Sequence, residues 1–297
     1  MKNMLERLRD GEILIGDGAM GTMLMERGLK GGECPESLNL ANTELLEEIA
    51  GLYLDAGADI IQTNTFGGSP LKLASYSLED KASLINRNGV SAVKKAVEGR
   101  AYVSASCGPC GKILKPYGDT DPVDIYKSFE VQMQAFAESE CDVICIETMM
   151  DLKELLLALS AAKQMAPGIP VMTTMTFDAT PKGFYTIMGD TIEKAARVLE
   201  EAGADVVGSN CGNGIENMVK IACEFKKCTT LPVIIQSNAG LPLFEDGNLV
   251  YPETPEFMAE KARELVNAGV SIIGGCCGTT PEHIRAIGKA CRESRTR

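Results

Sequence analysis

The feature that most constrains this chain is an alternation: short apolar, β-rich runs recur eight times, each followed by a longer segment of helical period. The runs fall at residues 12–16, 59–63, 101–106, 142–146, 171–175, 205–209, 233–237 and 271–274. Strands returned by helices pair in parallel, so this is the pattern of βα units around one sheet. A weak internal repeat supports the count. Ala56-Gly57-Ala58-Asp59-Ile60 and Ala202-Gly203-Ala204-Asp205-Val206 each end a helix on glycine and enter an apolar run, and Ala268-Gly269-Val270-Ser271-Ile272 follows the same logic. Ser139-Glu140-Cys141-Asp142-Val143 repeats it without the glycine. A doubly wound sheet, which also alternates strand and helix, is the main alternative. Eight evenly spaced units favour closure. The expected fold is α/β, a single (β/α)8 TIM barrel with residues 1–297 as one domain, because no Pro/Gly/Ser-rich linker divides the chain.

Composition removes several classes of function. A formal net charge of −12 repels phosphate backbones and anionic headgroups, so neither nucleic acid nor a membrane surface is an expected partner. The opening MKNMLERLRD carries charges where a secretory leader needs an apolar stretch, and no apolar run reaches the roughly 18 residues that span a bilayer. A cytoplasmic protein is expected. In that setting the 11 cysteines read as reduced thiols or metal ligands rather than as a disulfide framework.

Barrels of this kind carry their chemistry at the C-terminal ends of the strands. The polar stretches there are Asp17 to Thr22, Thr63 to Phe66, Glu147-Thr148, Asn210-Cys211-Gly212, Asn238-Ala239-Gly240 and Gly275 to Gly278. Three cysteines stand among them: Cys211 after the sixth run, and Cys276 with Cys277 after the eighth. Thiolates select zinc among the abundant cytosolic metals, and three protein ligands leave one position open, as catalytic zinc sites do. The competing reading is three small buried thiols, common for cysteine, and spacing alone leaves both open.

These strand-end stretches also resemble a known family. Gly16-Asp17-Gly18-Ala19-Met20-Gly21-Thr22, the run Gly57 to Phe66, Ile146-Glu147-Thr148, Ser237-Asn238-Ala239-Gly240 and the run Gly274 to His283 together look like the homocysteine S-methyltransferase family. That family includes the N-terminal homocysteine-binding module of cobalamin-dependent methionine synthase, and the likeness runs from about Leu14 to Arg285. The resemblance implies that Cys211, Cys276 and Cys277 hold Zn2+ with the substrate thiol as fourth ligand. It implies that Asp17, backbone groups around Gly18, and Glu147 bind the amino-acid end of homocysteine, with Asn238 beside the pocket. The implied reaction is methyl transfer to the homocysteine thiol, giving methionine.

The methyl donor is less defined. The chain has no tryptophan, the best component of a cage for a cationic donor such as betaine. A methylcorrinoid such as methylcobalamin, arriving on a separate protein, is the expected donor, with another small methyl donor as the other choice. After Cys211 the chain reads Gly212-Asn213-Gly214, more glycine-rich than the family pattern. This leaves a zinc methyltransferase acting between a different small methylated substrate and a corrinoid protein as an alternative. A non-catalytic zinc-binding barrel is the non-enzymatic one.

Other features carry less. Cys107-Gly108-Pro109-Cys110 has a C-x-x-C redox spacing, but it follows a barrel strand, and the family resemblance implies a Gly-Pro turn there. The single histidine, His283, sits in Thr280-Pro281-Glu282-His283, a helix start, and finds no second histidine for a metal site. Met20, Met23 and Met25 border the first strand end, and Asn64 and Thr65 are further pocket candidates.

Overall fold

The computed structural model describes residues 2–245 and 248–294. Its core is a sheet of eight parallel strands: β1 (Leu14–Ile15), β2 (Ile60–Gln62), β3 (Tyr102–Cys107), β4 (Val143–Met149), β5 (Val171–Met175), β6 (Val206–Asn210), β7 (Val233–Ser237) and β8 (Ile272–Gly275). Each strand pairs with its sequence neighbours, and β8 returns to pair with β1 through Leu14 with Ile272 and Ile15 with Ile273. The remaining seam closes between β1 and β2: Gly16 bridges Ile60, and Asp59 N donates to Ile15 O at 2.7 Å. The chain is a (β/α)8 TIM barrel. Two of the eight runs, 171–175 and 233–237, match their strands to the residue, while β4 extends three residues further than its run.

Eight helices wrap the sheet: α1 (Thr43–Asp55), α2 (Ala82–Val97), α3 (Pro122–Glu138), α4 (Leu152–Met165), α5 (Ile192–Glu201), α6 (Ile215–Cys228), α7 (Pro255–Asn267) and α8 (Pro281–Ser294). Their starts are written locally. The side chains of Asn42, Asp151, Thr191 and Thr254 each accept a first-turn amide hydrogen, and Pro122 and Pro255 occupy first-turn positions that need no donor. Their stops follow the repeat: Gly57, Gly203 and Gly269 lie at φ between 81° and 92°. In the fourth copy Glu140 takes the same left-handed conformation at φ 55°.

The repeat also closes the barrel floor. Asp59, Asp142 and Asp205 each accept a backbone N–H from the first or second residue of the preceding strand, Ile15, Val103 and Val171, at 2.8 to 3.0 Å. A short helix, Met4–Arg9, packs Met4 and Leu8 into that end against Leu14, Ile60, Val143 and Val206. With the floor plugged and both sheet faces buried, the strands read as continuous apolar runs. The opposite end stays open. Two antiparallel hairpins lie outside the expected pattern, at 178–185 after β5 and around 243–250 after β7. Among the described residues no helix is long and apolar enough to cross a membrane.

Candidate active site and metal centre

The open end holds a cavity of about 280 Å3 lined from six strand ends, by residues including Gly18, Gln62, Ser106, Glu147, Cys211, Cys276 and Cys277. Met20 and Met25 from the segment after β1, Phe66 after β2, and Tyr251 border it as well. Met23 instead packs in the core.

Cys211, Cys276 and Cys277 come together at one edge. Their sulfurs lie within 4.8 Å of one another, and Cys211 Sγ and Cys277 Sγ are 3.8 Å apart. A tetrahedron with Zn–S bonds of about 2.3 Å has S···S edges of about 3.8 Å, so the cluster fits such an ion. Residues adjacent in sequence reach one point because the backbone turns sharply on either side. Cys211 itself sits at φ 58°, and Gly278 at φ 79°. A side chain at 278 would meet Tyr251 Cγ at 2.1 Å, so glycine also admits the Tyr251 ring. The three thiols titrate together. Hydrogen bonds from Cys276 and then Cys277 pull Cys211 below the usual thiol range, and the same contacts with burial push the other two up. One thiolate forms readily, and three require a cation.

Neutral donors surround the sulfurs. Asn210 Nδ2 approaches Cys276 Sγ at 3.8 Å, Tyr251 shares a hydrogen bond with Cys277, and the Asn238 side chain one with Cys211. Asn238 is buried behind the lining, and its Oδ1 has no protein partner. Donors of this kind orient metal ligands and moderate their charge.

Glu147 lines the same cavity, and Asp17 stands one layer behind the lining. Glu147 Oε1 accepts from Ser106 Oγ at 2.5 Å and Gln62 Nε2 at 2.9 Å, and Oε2 from Asn210 Nδ2 at 3.2 Å. Asp17 Oδ2 accepts Gln62 N at 2.8 Å, whereas Oδ1 has no protein partner although Asp17 is 1% exposed. Burial raises both, Glu147 to about 7 and Asp17 to about 8; the Glu147 charge adds to the rise at Asp17, and that of Cys211 to the rise at Glu147. No cation of the protein pairs with either among the described residues. An uncompensated pair of buried carboxylates is costly in stability and marks a site for a positively charged group.

Residues 14–291 match the family described as homocysteine S-methyltransferase. This chain belongs to the homocysteine S-methyltransferase family. Among curated relatives it is 32% identical to methionine synthase of Mycobacterium leprae (strain TN) over 97% of its own length, and 32% identical to that of Mycobacterium tuberculosis (strain ATCC 25618 / H37Rv) over 94%. It spans only about a quarter of the length of either: 25% and 24%. The metallated form of the homocysteine methyltransferase MmuM from Escherichia coli superposes with a TM-score of 0.80 at 22% identity, covering 97% of this chain and 99% of that one. Its apo form gives 0.73 at 21%, covering 97% and 98%. At such identities these structures speak to the fold, which is shared from end to end.

For this family member, the motifs legible in sequence mark out the cluster, Gly18 and Glu147, with Asp17 and Asn238 one layer behind. Sequence reasoning assigned no role to Gln62, Ser106, Asn210 or Tyr251, although Asn210 stood in a strand-end stretch and Gln62 in the run Gly57 to Phe66. The first three are polar residues closing apolar strands, a signal that was present; Tyr251 follows a hairpin and carried none. Asn64 lines the cavity, while Thr65 is fully buried and donates to Ser106 O. Cys107 and Cys110 are buried free thiols raised by burial, away from the cavity lining. His283 pairs with Thr280 N and Glu253 O in the first turn of α8, as a structural residue. The glycine-rich stretch after Cys211 has a local reason: Gly212 is left-handed against Thr176, and Gly214 caps α6.

Proposed function

We propose that this chain is a single zinc-dependent catalytic barrel that methylates the thiol of homocysteine to give methionine. The observation that carries the reading is the pairing, in one cavity, of a three-cysteine cluster with the buried Glu147 carboxylate, backed one layer behind by Asp17, neither with a cationic partner among the described residues. Homocysteine has the complementary ends, a thiol and an ammonium.

Cys211, Cys276 and Cys277 would hold the zinc, whose contribution is to keep a thiol in its nucleophilic thiolate form at neutral pH. Glu147 and Asp17 bind the ammonium, and the backbone around Gly18 receives the carboxylate. Ser106, Gln62 and Asn210 fix the Glu147 carboxylate, so little orientational freedom remains to be lost on binding. Asn238 and Tyr251, on the sulfur ligands, keep their charge from accumulating on one atom. The metallated state of the Escherichia coli neighbour is in keeping with this role for the cluster.

For the donor, we propose a methylcorrinoid carried on a protein. The loops on the open end expose Ile113, Tyr117, Ile187, Leu241 and Phe244, each at least 60% accessible. Exposed apolar side chains gathered on the catalytic face suit docking of a macromolecule. Relatedness to methionine synthases supports the same choice. A cytoplasmic location accords with free thiols throughout the described residues.

The test is calorimetric titration of homocysteine into protein loaded with zinc and into protein stripped by chelator. Saturable binding only to the loaded form, lost in Cys276→Ser, is the expected result. Equal binding to both forms would exclude a metal-dependent thiol site.

A further inference from the structure

We propose that Asn210 is a positioning residue: its side-chain amide locks a bulge in β4 and so sets the span between Glu147 and the three-cysteine cluster. This makes the site selective for a thiol bearing an ammonium group at the homocysteine distance. The inference rests on the ammonium role proposed for Glu147.

The bulge is visible in the register. Ile146 pairs with Thr173 and Met149 with Met175, so three steps along β4 oppose two along β5, and the extra residue falls at Glu147-Thr148. Bulges beside active sites re-aim side chains. This one contains a strained residue: Thr148 lies at φ 56°, a left-handed conformation that a β-branched side chain seldom adopts. Such a conformation persists only where its surroundings hold it.

Asn210 supplies the hold. Its Oδ1 accepts from Thr148 N at 2.8 Å and from Thr174 Oγ1 at 2.7 Å. Its Nδ2 donates to Thr148 Oγ1 at 2.7 Å, lies 3.2 Å from Glu147 Oε2, and reaches Cys276 Sγ at 3.8 Å. One amide thus grips the strained residue at both its backbone and its hydroxyl. The same group touches the carboxylate that receives the ammonium and a sulfur of the cysteine cluster. Asn210 is fully buried and directly precedes Cys211, itself left-handed at φ 58°. Aspartate would keep the accepting oxygen but place a second negative charge on Glu147, and alanine would release the bulge. Only an amide satisfies donors and acceptors on both sides.

The experiment compares homocysteine with 4-mercaptobutyrate, which keeps the thiol, chain and carboxylate but lacks the amino group, by calorimetry on the zinc-loaded full chain. Zinc stoichiometry and chelator competition are measured in parallel. Wild type should prefer homocysteine. Asn210→Ala should weaken homocysteine by about 10-fold to 100-fold, the usual effect of losing an outer-shell partner, while changing 4-mercaptobutyrate by less than about 3-fold and retaining one zinc. Adding Thr148→Gly to Asn210→Ala should restore part of the preference, because glycine holds a left-handed conformation unaided. This double variant also relieves the strain that would compromise folding of the single one. Equal weakening of both thiols in Asn210→Ala would overturn the proposal, reducing Asn210 to support for the cysteines. A zinc-loaded double variant with no recovered preference would overturn it too. A wild-type preference unchanged in Asn210→Ala overturns the proposal alone, whereas a wild type indifferent to the amino group overturns the reading of Glu147 with it.

Discussion

Glu147 and Asp17 are both buried carboxylates raised by that burial, to about 7 and about 8, and the sign of this shift sets the pH behaviour of the site. Below about 7 Glu147 holds a proton and loses its attraction for an ammonium. Homocysteine affinity is therefore expected to fall as the pH drops from 8 to 6. Glu147→Gln should weaken binding at pH 8 by about 10-fold to 100-fold, as loss of a charged hydrogen bond does, and flatten the acidic limb in a calorimetric series. Stability moves the other way. Between the ordinary carboxylate range and about 7 to 8 the folded protein holds protons that the unfolded chain releases, so stability falls as pH rises through that window. Asp17→Asn, with no charge to bury, should raise the melting temperature at pH 8 and do so less at pH 5. An equal change at both would show that burial of charge is not the cause. These two carboxylates and the cysteines were legible because each sits in a motif at a strand end. Gln62, Ser106 and Asn210 stood at strand ends too, but their roles were not legible, because those roles exist only across strands: Gln62 and Glu147 are 85 residues apart, Asn210 and Glu147 63.

Among the elements, the four helix-to-strand junctions of the repeat show how much of the fold local chemistry specifies. Three stop on a left-handed glycine, and the fourth forces Glu140 into that conformation. A left-handed L-residue costs about 1 to 2 kcal/mol, so Glu140→Gly should stabilise the fold by about 1 kcal/mol in chemical denaturation. A loss of stability would mean that the exposed pair with Lys94 outweighs the strain. The aspartates of the same repeat do the opposite service. Asp142→Ala leaves Val103 N without its side-chain partner and should destabilise by about 1 to 2 kcal/mol without altering thiol binding, as expected for the closed end of a barrel. Strand number, order and helix stops were therefore readable from period and punctuation. The hairpin at 178–185 was not: its first strand is exposed, its second only half-buried, and neither has the apolar run that announces a barrel strand. β4 ran past its expected end for a related reason, since the bulge at Glu147-Thr148 interrupts pairing that resumes at Met149.

At the scale of the molecule, a plugged floor and an open, apolar-rimmed mouth divide the barrel into an end that confers stability and an end that meets partners. If the rim receives a protein-borne donor, Ile187→Ser with Phe244→Ser should slow methyl transfer from a protein-bound methylcorrinoid and leave homocysteine affinity unchanged. Equal slowing with free methylcobalamin would argue against docking at the rim. The acidic surface, at net charge −12, adds that such a partner is not recruited through an anionic scaffold. The central claim is that the cysteine cluster and the carboxylates form one site for one amino-acid thiol. It is tested most directly by zinc-edge X-ray absorption on the metal-loaded protein, with and without homocysteine. Three sulfur ligands rising to four on addition of homocysteine is the predicted result; a zinc shell that gains no sulfur, or a protein that takes up no zinc, would contradict the account.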